Sequence, residues 1–381
     1  MHNKLTANIC IEASPATQNQ AGLGRYTLNL IKNLLLCDSE FNYSLSYNDR
    51  TNAIIPTELT QIKHYSSGLT NNWWRLLNAL TYTNKNLISS YYQGVDIFHS
   101  TGHLLPKLNN VRTVFTLHDL IPLLYPAYHK PLNRIFLSIM MPLFLQTADA
   151  IISVSNNTKA DAIKHTNTDP SKIVVIPEAV SPSFHNITNE QHLTYVRNKY
   201  KLPERFVLCV STIEPRKNHT TLLSAFERLH KDHPNLVLAL AGRLGWLYEP
   251  ILKQIENSSA RHNVRLLGQV PDKDLPALLS AATIFAFPSV YEGFGLPPLE
   301  AMSCSTPVVC SNTSSLPEVV GEAALMCDPF VVETWHTQLN KLLLDRSLQE
   351  KYSQIGLSHS KKFSWSAVAM ATSQLYETLL R

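Results

Sequence analysis

Short apolar runs alternate with stretches in which apolar residues recur every three or four positions, along the whole 381-residue chain. A short apolar run bounded by turn residues reads as a strand buried on both faces, and a 3.6-residue period reads as a helix covering it. In the first half the runs are ANICIEA (7–13), FNYSLSY (41–47), VDIFHS (95–100), VRTVFTLH (111–118), AIISVS (150–155) and KIVVIP (172–177). Helices are predicted over 25–37, 130–146 and 156–165, the last capped by Ser155 or Asn156. The stretch PEAVSPSFHNITNE (177–190) is rich in Pro, Ser and Asn and reads as a linker. A second series follows, with strands FVLCVS, LVLALAG, VRLLGQV, TIFAFPS and PVVCSN and helices at 219–232, 246–256, 273–281 and 297–304. The segment SWSAVAMATSQLYETLL (364–380) reads as one long amphipathic helix. This alternation predicts an α/β fold of two Rossmann-like parallel sheets covered by helices on both faces. Residues 1–180 would form an N-terminal domain and 181–362 a C-terminal one. In such sheets a ligand lies outside the carboxyl ends of the strands, so two facing sheets would place a site in the cleft between them.

Composition narrows the class. Hydrophobic residues make up 44% and charged residues 16%, enough apolar surface for a large core. A net charge of +4 is too weak to imply nucleic acid, and the small excess lies mostly before residue 180. The six cysteines form no C-x-x-C pair and no zinc-ligand spacing, and most lie in apolar runs such as FVLCV and TPVVC. Reduced thiols and a cytoplasmic location fit best. The N-terminus lacks the apolar stretch of a signal peptide. The longest apolar segment, IFLSIMMPLFL (135–145), is too short to span a bilayer and contains Pro142. With Trp73, Trp74 and Arg75 it could touch a membrane, so at most peripheral contact at the inner face is expected.

Four segments can carry chemistry. Gly22 and Gly24, in AGLGRYT, precede a predicted helix, where glycines let backbone approach a phosphate. The third glycine of a dinucleotide fingerprint is missing, since position 27 is Thr, and an ordinary loop before a helix has the same composition. His118 and Asp119 end a strand: His118 could hydrogen-bond a sugar hydroxyl while Asp119 orients the loop, or both could cap the loop. His99 and His103 have a weaker claim. Arg216 and Lys217, in EPRKN, follow strand FVLCVS, where a guanidinium fork and an ammonium suit a diphosphate better than a solvated surface pair would. The most specific segment runs from Glu292 to Glu300. Gly293, Phe294, Gly295 and Leu296 present backbone amides, Pro297 and Pro298 suit a first helical turn, and Glu300 falls one turn into that helix, within reach of a ribose diol. Dipole compensation is the plainer role for Glu300, and Glu292 could be a simple loop acid.

Together, the Glu-x7-Glu segment, EPRKN, GLGRYT and HDLIPLLYP resemble the retaining GT-B glycosyltransferases of family GT4, in the same order and over nearly the whole chain. The resemblance implies that Glu300 binds the nucleotide ribose and Glu292 lies by the donor sugar. It implies that Arg216 and Lys217 neutralise the diphosphate, that the Gly22–Gly24 loop approaches it, and that His118 is the family's site histidine. It also implies that a C-terminal helix, 363–381, crosses back onto the first domain. One departure is Glu12, where the first strand of close relatives often ends in Asp.

The implied reaction moves a hexose from a nucleotide sugar to a hydroxyl of a glycan or lipid-linked glycan acceptor, with retention, as in exopolysaccharide biosynthesis. No D-x-D motif ends a predicted strand, so the two cations are expected to replace a metal, and no cofactor is expected. The segments resemble enzymes that use UDP-glucose or GDP-mannose, with a slight lean to UDP-glucose. A non-catalytic nucleotide-sugar binding protein and a GT-B phosphorylase are the alternatives. A nicotinamide dehydrogenase is disfavoured by the missing glycine.

Overall fold

The computed structural model describes residues 7–18, 21–37, 40–48, 52–128 and 131–381. The chain divides into two compact units. The first comprises residues up to Leu123, Leu132–Ala179 and Ser364–Arg381, and the second Leu124–Pro131 and Val180–Phe363.

The sheet of the first unit holds β1 (Ala7–Glu12), β2 (Phe41–Tyr47), β3 (Lys63–Ser66), β4 (Ile97–Ser100), β5 (Arg112–Leu117), β6 (Ala150–Ser153) and β7 (Ile173–Val175). Their spatial order is β3-β2-β1-β4-β5-β6-β7, and every pairing is parallel. Ile9 on β1, the third strand in this order, pairs with Tyr43 on one side and Ile97 on the other. Because parallel strands are covered on both faces, their sequences are continuous apolar runs, and Ile9, Ile11, Phe98, Phe115 and Ile151 are fully buried. β3, with the sequence KHYS, is the exception: it is a polar edge strand that the pattern did not predict. Nor did the pattern predict the helix Asn71–Leu80.

The helix Trp365–Leu380 belongs to this first unit and packs on the helix Ala21–Cys37. The Tyr26 and Trp365 rings meet edge to face at 5.6 Å. Tyr376 Oη lies 2.5 Å from His99 Nδ1, whose other nitrogen is 2.8 Å from Thr116 Oγ1. Burial, with the nearby His118 adding to it, pushes His99 down to about 3, so this ring is a neutral structural group that ties the last helix to the sheet.

The second unit holds β8 (Phe206–Val210), β9 (Val237–Ala241), β10 (Val264–Gly268), β11 (Ile284–Phe287), β12 (Val308–Ser311) and β13 (Leu325–Cys327), all parallel, in the order β10-β9-β8-β11-β12-β13. Its core gathers Val207, Phe226, Leu238, Ile284, Val309 and Trp335. The helix His219–Asp232 matches its predicted bounds, whereas Val332–Leu344 and Arg346–Ser360 were not anticipated. Burial pushes the thiols of Cys209, Cys304 and Cys327 up to about 12, which makes them small apolar fillers.

Candidate active site

In the second unit the strand order reverses between β8 and β11, and the loops after these two strands meet there. This is where an open parallel sheet takes a ligand. After β8 the chain forms a single turn, Pro215–Lys217, and then enters the helix His219–Asp232 through Asn218 in a left-handed conformation (φ 54°). Arg216 and Lys217 therefore point from the sheet's carboxyl edge. After β11 the loop to Gly295 leads into the helix Leu296–Ser303.

The two loops are joined by charge. Arg216 Nη1 lies 3.0 Å from Glu292 Oε1 and donates to the Tyr291 carbonyl at 2.7 Å, while Nη2 donates to Glu214 Oε1 at 2.8 Å. Lys217 Nζ donates to Glu292 Oε1 at 2.5 Å. Burial alone would raise the Glu292 carboxyl, but the Arg216 and Lys217 charges overrule it and hold the group down at about 2. Lys217 is shifted down, first by burial and then by the neighbouring guanidinium, with Glu292 and Glu214 opposing both. Burial lifts Glu214, against the pull of Arg216 and Lys217. Two cations and two carboxylates thus form a cluster, buried at Glu214 and partly buried at the other three, whose formal charges cancel and whose side chains are ordered in advance.

The 290–294 loop is held from behind by the segment after β12. Thr313 Oγ1 donates to the Val290 carbonyl, Glu292 N donates to Ser314 Oγ, and the Ser315 hydroxyl faces the Glu292 and Phe294 carbonyls at 2.9 and 2.6 Å. Gly295, at φ 118°, cannot be replaced without strain, and an added Cβ would stand 2.7 Å from Leu316 Cδ2. Pro297 and Pro298 carry no N–H, so the donors at the start of this helix are concentrated around Leu296. Glu300 sits one turn in and is buried.

The remaining predicted residues lie in the first unit. Gly22 and Gly24 are not in a loop: the helix begins at Ala21, so both fall in its first turn. An added Cβ at Gly22 would meet nothing within 4 Å, so packing inside this unit does not demand glycine there. His118 is buried beyond the end of β5, with Nδ1 2.9 Å from Glu178 Oε1 and Nε2 3.0 Å from the Thr101 carbonyl oxygen. Neither ring nitrogen is open to a sugar hydroxyl as the structure stands. Asp119 Oδ1 accepts from Ile121 N, which fixes the following turn. His103 stacks edge-on 6.3 Å from His118.

Sequence reasoning left Glu214, Glu178, Ser314 and Ser315 without a role. Glu214 stood inside the quoted EPRKN motif, and the serines formed a polar cluster just past strand PVVCSN. Glu178 carried no signal, because its partner lies 60 positions away. The first unit also contains a cavity of about 230 Å³ at the β1/β4 reversal, lined among others by Glu12, Asn48, Asn71, Trp74, Arg75 and His103. Glu12 Oε1 accepts from Ser14 N at 2.9 Å, and burial nevertheless pushes its carboxyl up to about 7.

Two family models match the chain in succession: one described as glycosyltransferase family 4 over residues 22–184, and one described as glycosyl transferases group 1 over residues 196–359. The chain is similar to the O-antigen chain mannosyltransferase B of Escherichia coli, at 33% identity over 97% of this chain and 100% of that protein. It is 34% identical to the serotype-specific mannosyltransferase WbdA of Escherichia coli over 77% of this chain, which is only 37% of that longer protein. Among solved structures, a sucrose-phosphate synthase from Thermosynechococcus elongatus superimposes with a TM-score of 0.78, covering 98% of this chain and 99% of that one at 20% identity, a likeness of fold alone. With a relative one-third identical along its full length and both family models in chain order, the chain belongs to the family 4 glycosyltransferases of the GT-B fold.

Proposed function

We propose that this glycosyltransferase moves mannose from GDP-mannose to a hydroxyl of a growing glycan, with retention of configuration and without a metal ion. The observation that carries the chemistry is the Arg216–Lys217–Glu292 cluster at the β8/β11 reversal, with Glu300 one turn into the adjoining helix. The choice of sugar rests on the two relatives described above, both named as mannosyltransferases, and it replaces the slight lean to UDP-glucose. Arg216 and Lys217 face the diphosphate, Glu300 the ribose and Glu292 the donor sugar. As the bond from C1 to the diphosphate oxygen breaks, that oxygen keeps the electron pair, and the preordered cations meet the growing charge without reorganising. The acceptor oxygen bonds to C1 on the same face and passes its proton to the departing phosphate.

The cavity lined by Glu12, Asn48, Asn71 and Trp74 suits the terminal sugar of the acceptor, since amides and a carboxyl read hydroxyls while an indole covers an apolar ring face. An exposed apolar face supports peripheral contact with a lipid surface. It presents Trp73, Leu76 and Leu80 of the helix Asn71–Leu80 and Leu132, Ile135 and Ile139 of the helix Pro131–Thr147. The two helices are joined where Arg75 bonds Asn133 and lies 4.4 Å over the Phe136 ring. Trp74, expected to share this face, is instead buried. Among the described residues no helix is long and apolar enough to cross a membrane.

The test is direct. Purified protein given GDP-mannose and a mannose-terminated oligosaccharide should form an α-linked product, read from the one-bond carbon–proton coupling at the anomeric centre. A β-linked product would refute retention. Turnover with UDP-glucose but none with GDP-mannose would refute the donor.

A further inference from the structure

Three strand ends converge on the ring of His118. The imidazole follows β5, Glu178 follows β7 across the intervening β6, and Thr101 follows β4. Glu178 Oε1 is 2.9 Å from Nδ1, the Thr101 carbonyl oxygen is 3.0 Å from Nε2, and the Tyr26 ring stands edge-on with its centroid 4.7 Å away. His118 and Glu178 are each only 7% exposed, so solvent does little to orient either. Glu178 lies in the stretch that reads in sequence as linker, and nothing in the donor cluster of the second unit uses it.

We propose that Glu178 is a positioning residue: it fixes the hydrogen of His118 on Nδ1 and so reserves the Nε2 edge for a substrate hydroxyl. The inference rests on the reading of His118 as a sugar-contacting group. A carboxylate is an acceptor only, so a bond to it requires hydrogen on Nδ1. A buried carboxylate on one imidazole nitrogen selects the tautomer and the ring plane, and thereby determines what the other nitrogen offers. The other nitrogen here faces a carbonyl oxygen, a second acceptor: a ring carrying hydrogen on both nitrogens bonds both partners, whereas a ring carrying it on Nδ1 alone leaves Nε2 a lone pair. A ligand hydroxyl accepts from Nε2 in the first form and donates to it in the second, in either case taking the place of the Thr101 contact. Without Glu178 the ring is free to place its hydrogen on Nε2, bond Thr101 and present nothing to the substrate.

The experiment is a double-mutant cycle with Glu178→Ala, Glu178→Gln and His118→Ala in the full chain, each checked for folding by thermal unfolding, together with nitrogen NMR of histidine-labelled protein. His118→Ala and Glu178→Ala should each lower kcat by about tenfold or more, and the double variant should be no worse than His118→Ala alone. Glu178→Gln keeps the shape and can still accept from Nδ1, so it should recover part of the rate. If Glu178→Ala does not fold, Glu178→Gln carries the cycle. The NMR spectrum should show hydrogen on Nδ1 in the parent protein and in Glu178→Gln, and a shift toward Nε2 in Glu178→Ala. Full activity or an unchanged tautomer in Glu178→Ala, or additive losses in the double variant, would overturn the proposal while leaving His118 in place. A silent His118→Ala would instead remove the reading of His118 itself, and the role of Glu178 with it.

Discussion

The Glu292 carboxylate lies 2.5 Å from the Lys217 ammonium, and the same oxygen is 3.0 Å from Arg216. One acid thus holds both cations of the proposed donor site in register. A buried charge without a partner is strongly unfavourable, so the acid is part of what allows two cations to stand side by side at a sheet edge. Carboxylate and cations arrive from strands adjacent in space but 75 positions apart in sequence.

Arg216 should contribute to the chemical step more than to binding. Its guanidinium is fixed by Glu214, Glu292 and the Tyr291 carbonyl, so it meets developing phosphate charge already oriented. Removing one such preorganised donor typically costs about 10²–10³ in turnover. Arg216→Ala should lower kcat by roughly that order, and Arg216→Lys should recover only part, because an ammonium cannot bond Glu214 and Tyr291 together as the fork does. Steady-state kinetics of both variants check this. A loss confined to KM would show that Arg216 binds ground and transition states alike.

Glu300 should behave in the opposite way. A ribose contact changes little as the glycosidic bond breaks, so its loss removes uniform binding. Glu300→Gln, which keeps the shape, should raise the donor KM more than it lowers kcat. It should also weaken nucleotide diphosphate binding in calorimetry. Unchanged affinity with turnover abolished would assign Glu300 to the chemistry. The variant must first be shown folded, because this acid is buried inside the helix Leu296–Ser303.

Activity should survive excess EDTA. The positive charge at the proposed diphosphate position comes from Arg216 and Lys217. The chain's one D-x-D sequence at 272–274 lies beyond the end of β10, and Asp274 there already accepts from Lys199 at 2.6 Å and Tyr200 at 2.7 Å. Loss of most activity on chelation, restored by Mg²⁺ or Mn²⁺, would refute metal independence.

The two sheets were legible because a strand covered on both faces must be apolar throughout, so runs such as FVLCV and VLALA announce themselves. The polar edge strand KHYS and the three-residue β13 lack that signature, and half-exposed helices such as Arg346–Ser360 carry too weak a stripe. The charged cluster at the β8/β11 reversal was legible in part, since charged residues at strand ends have few structural reasons to be there. The partners of the singled-out residues were not legible: Ser314 reaches Glu292 across 22 positions in the second unit, and Glu178 reaches His118 across 60 in the first. The Gly22–Gly24 segment was placed in a loop because glycines signal one, whereas the helix Ala21–Cys37 includes both.

Glu12 should make the stability of the first unit fall as pH rises. Its carboxyl sits buried at the end of β1, lifted from the ordinary 4.5 to about 7 by loss of water, with the Ser14 hydrogen bonds opposing the lift. Between these values the unfolded chain has released this proton while the folded chain still holds it. Folding therefore becomes less favourable with each step in pH through that window, and below about 4.5 the effect vanishes. Glu292 has the opposite sign: held near 2, its contribution is present above 4.5 and is lost only as pH falls toward 2, so the two do not overlap between pH 5 and 8. Glu12→Gln can still accept from Ser14 N but has no proton to lose. Its unfolding midpoint should match the parent near pH 4 and exceed it at pH 8, where a lift of this size corresponds to roughly 3 kcal/mol. Thermal unfolding of both proteins at half-unit steps from pH 4 to 8 measures the difference. Parallel curves would mean that Glu12 is ionised and solvated in the folded state, and would remove the neutral carboxyl from the proposed acceptor cavity.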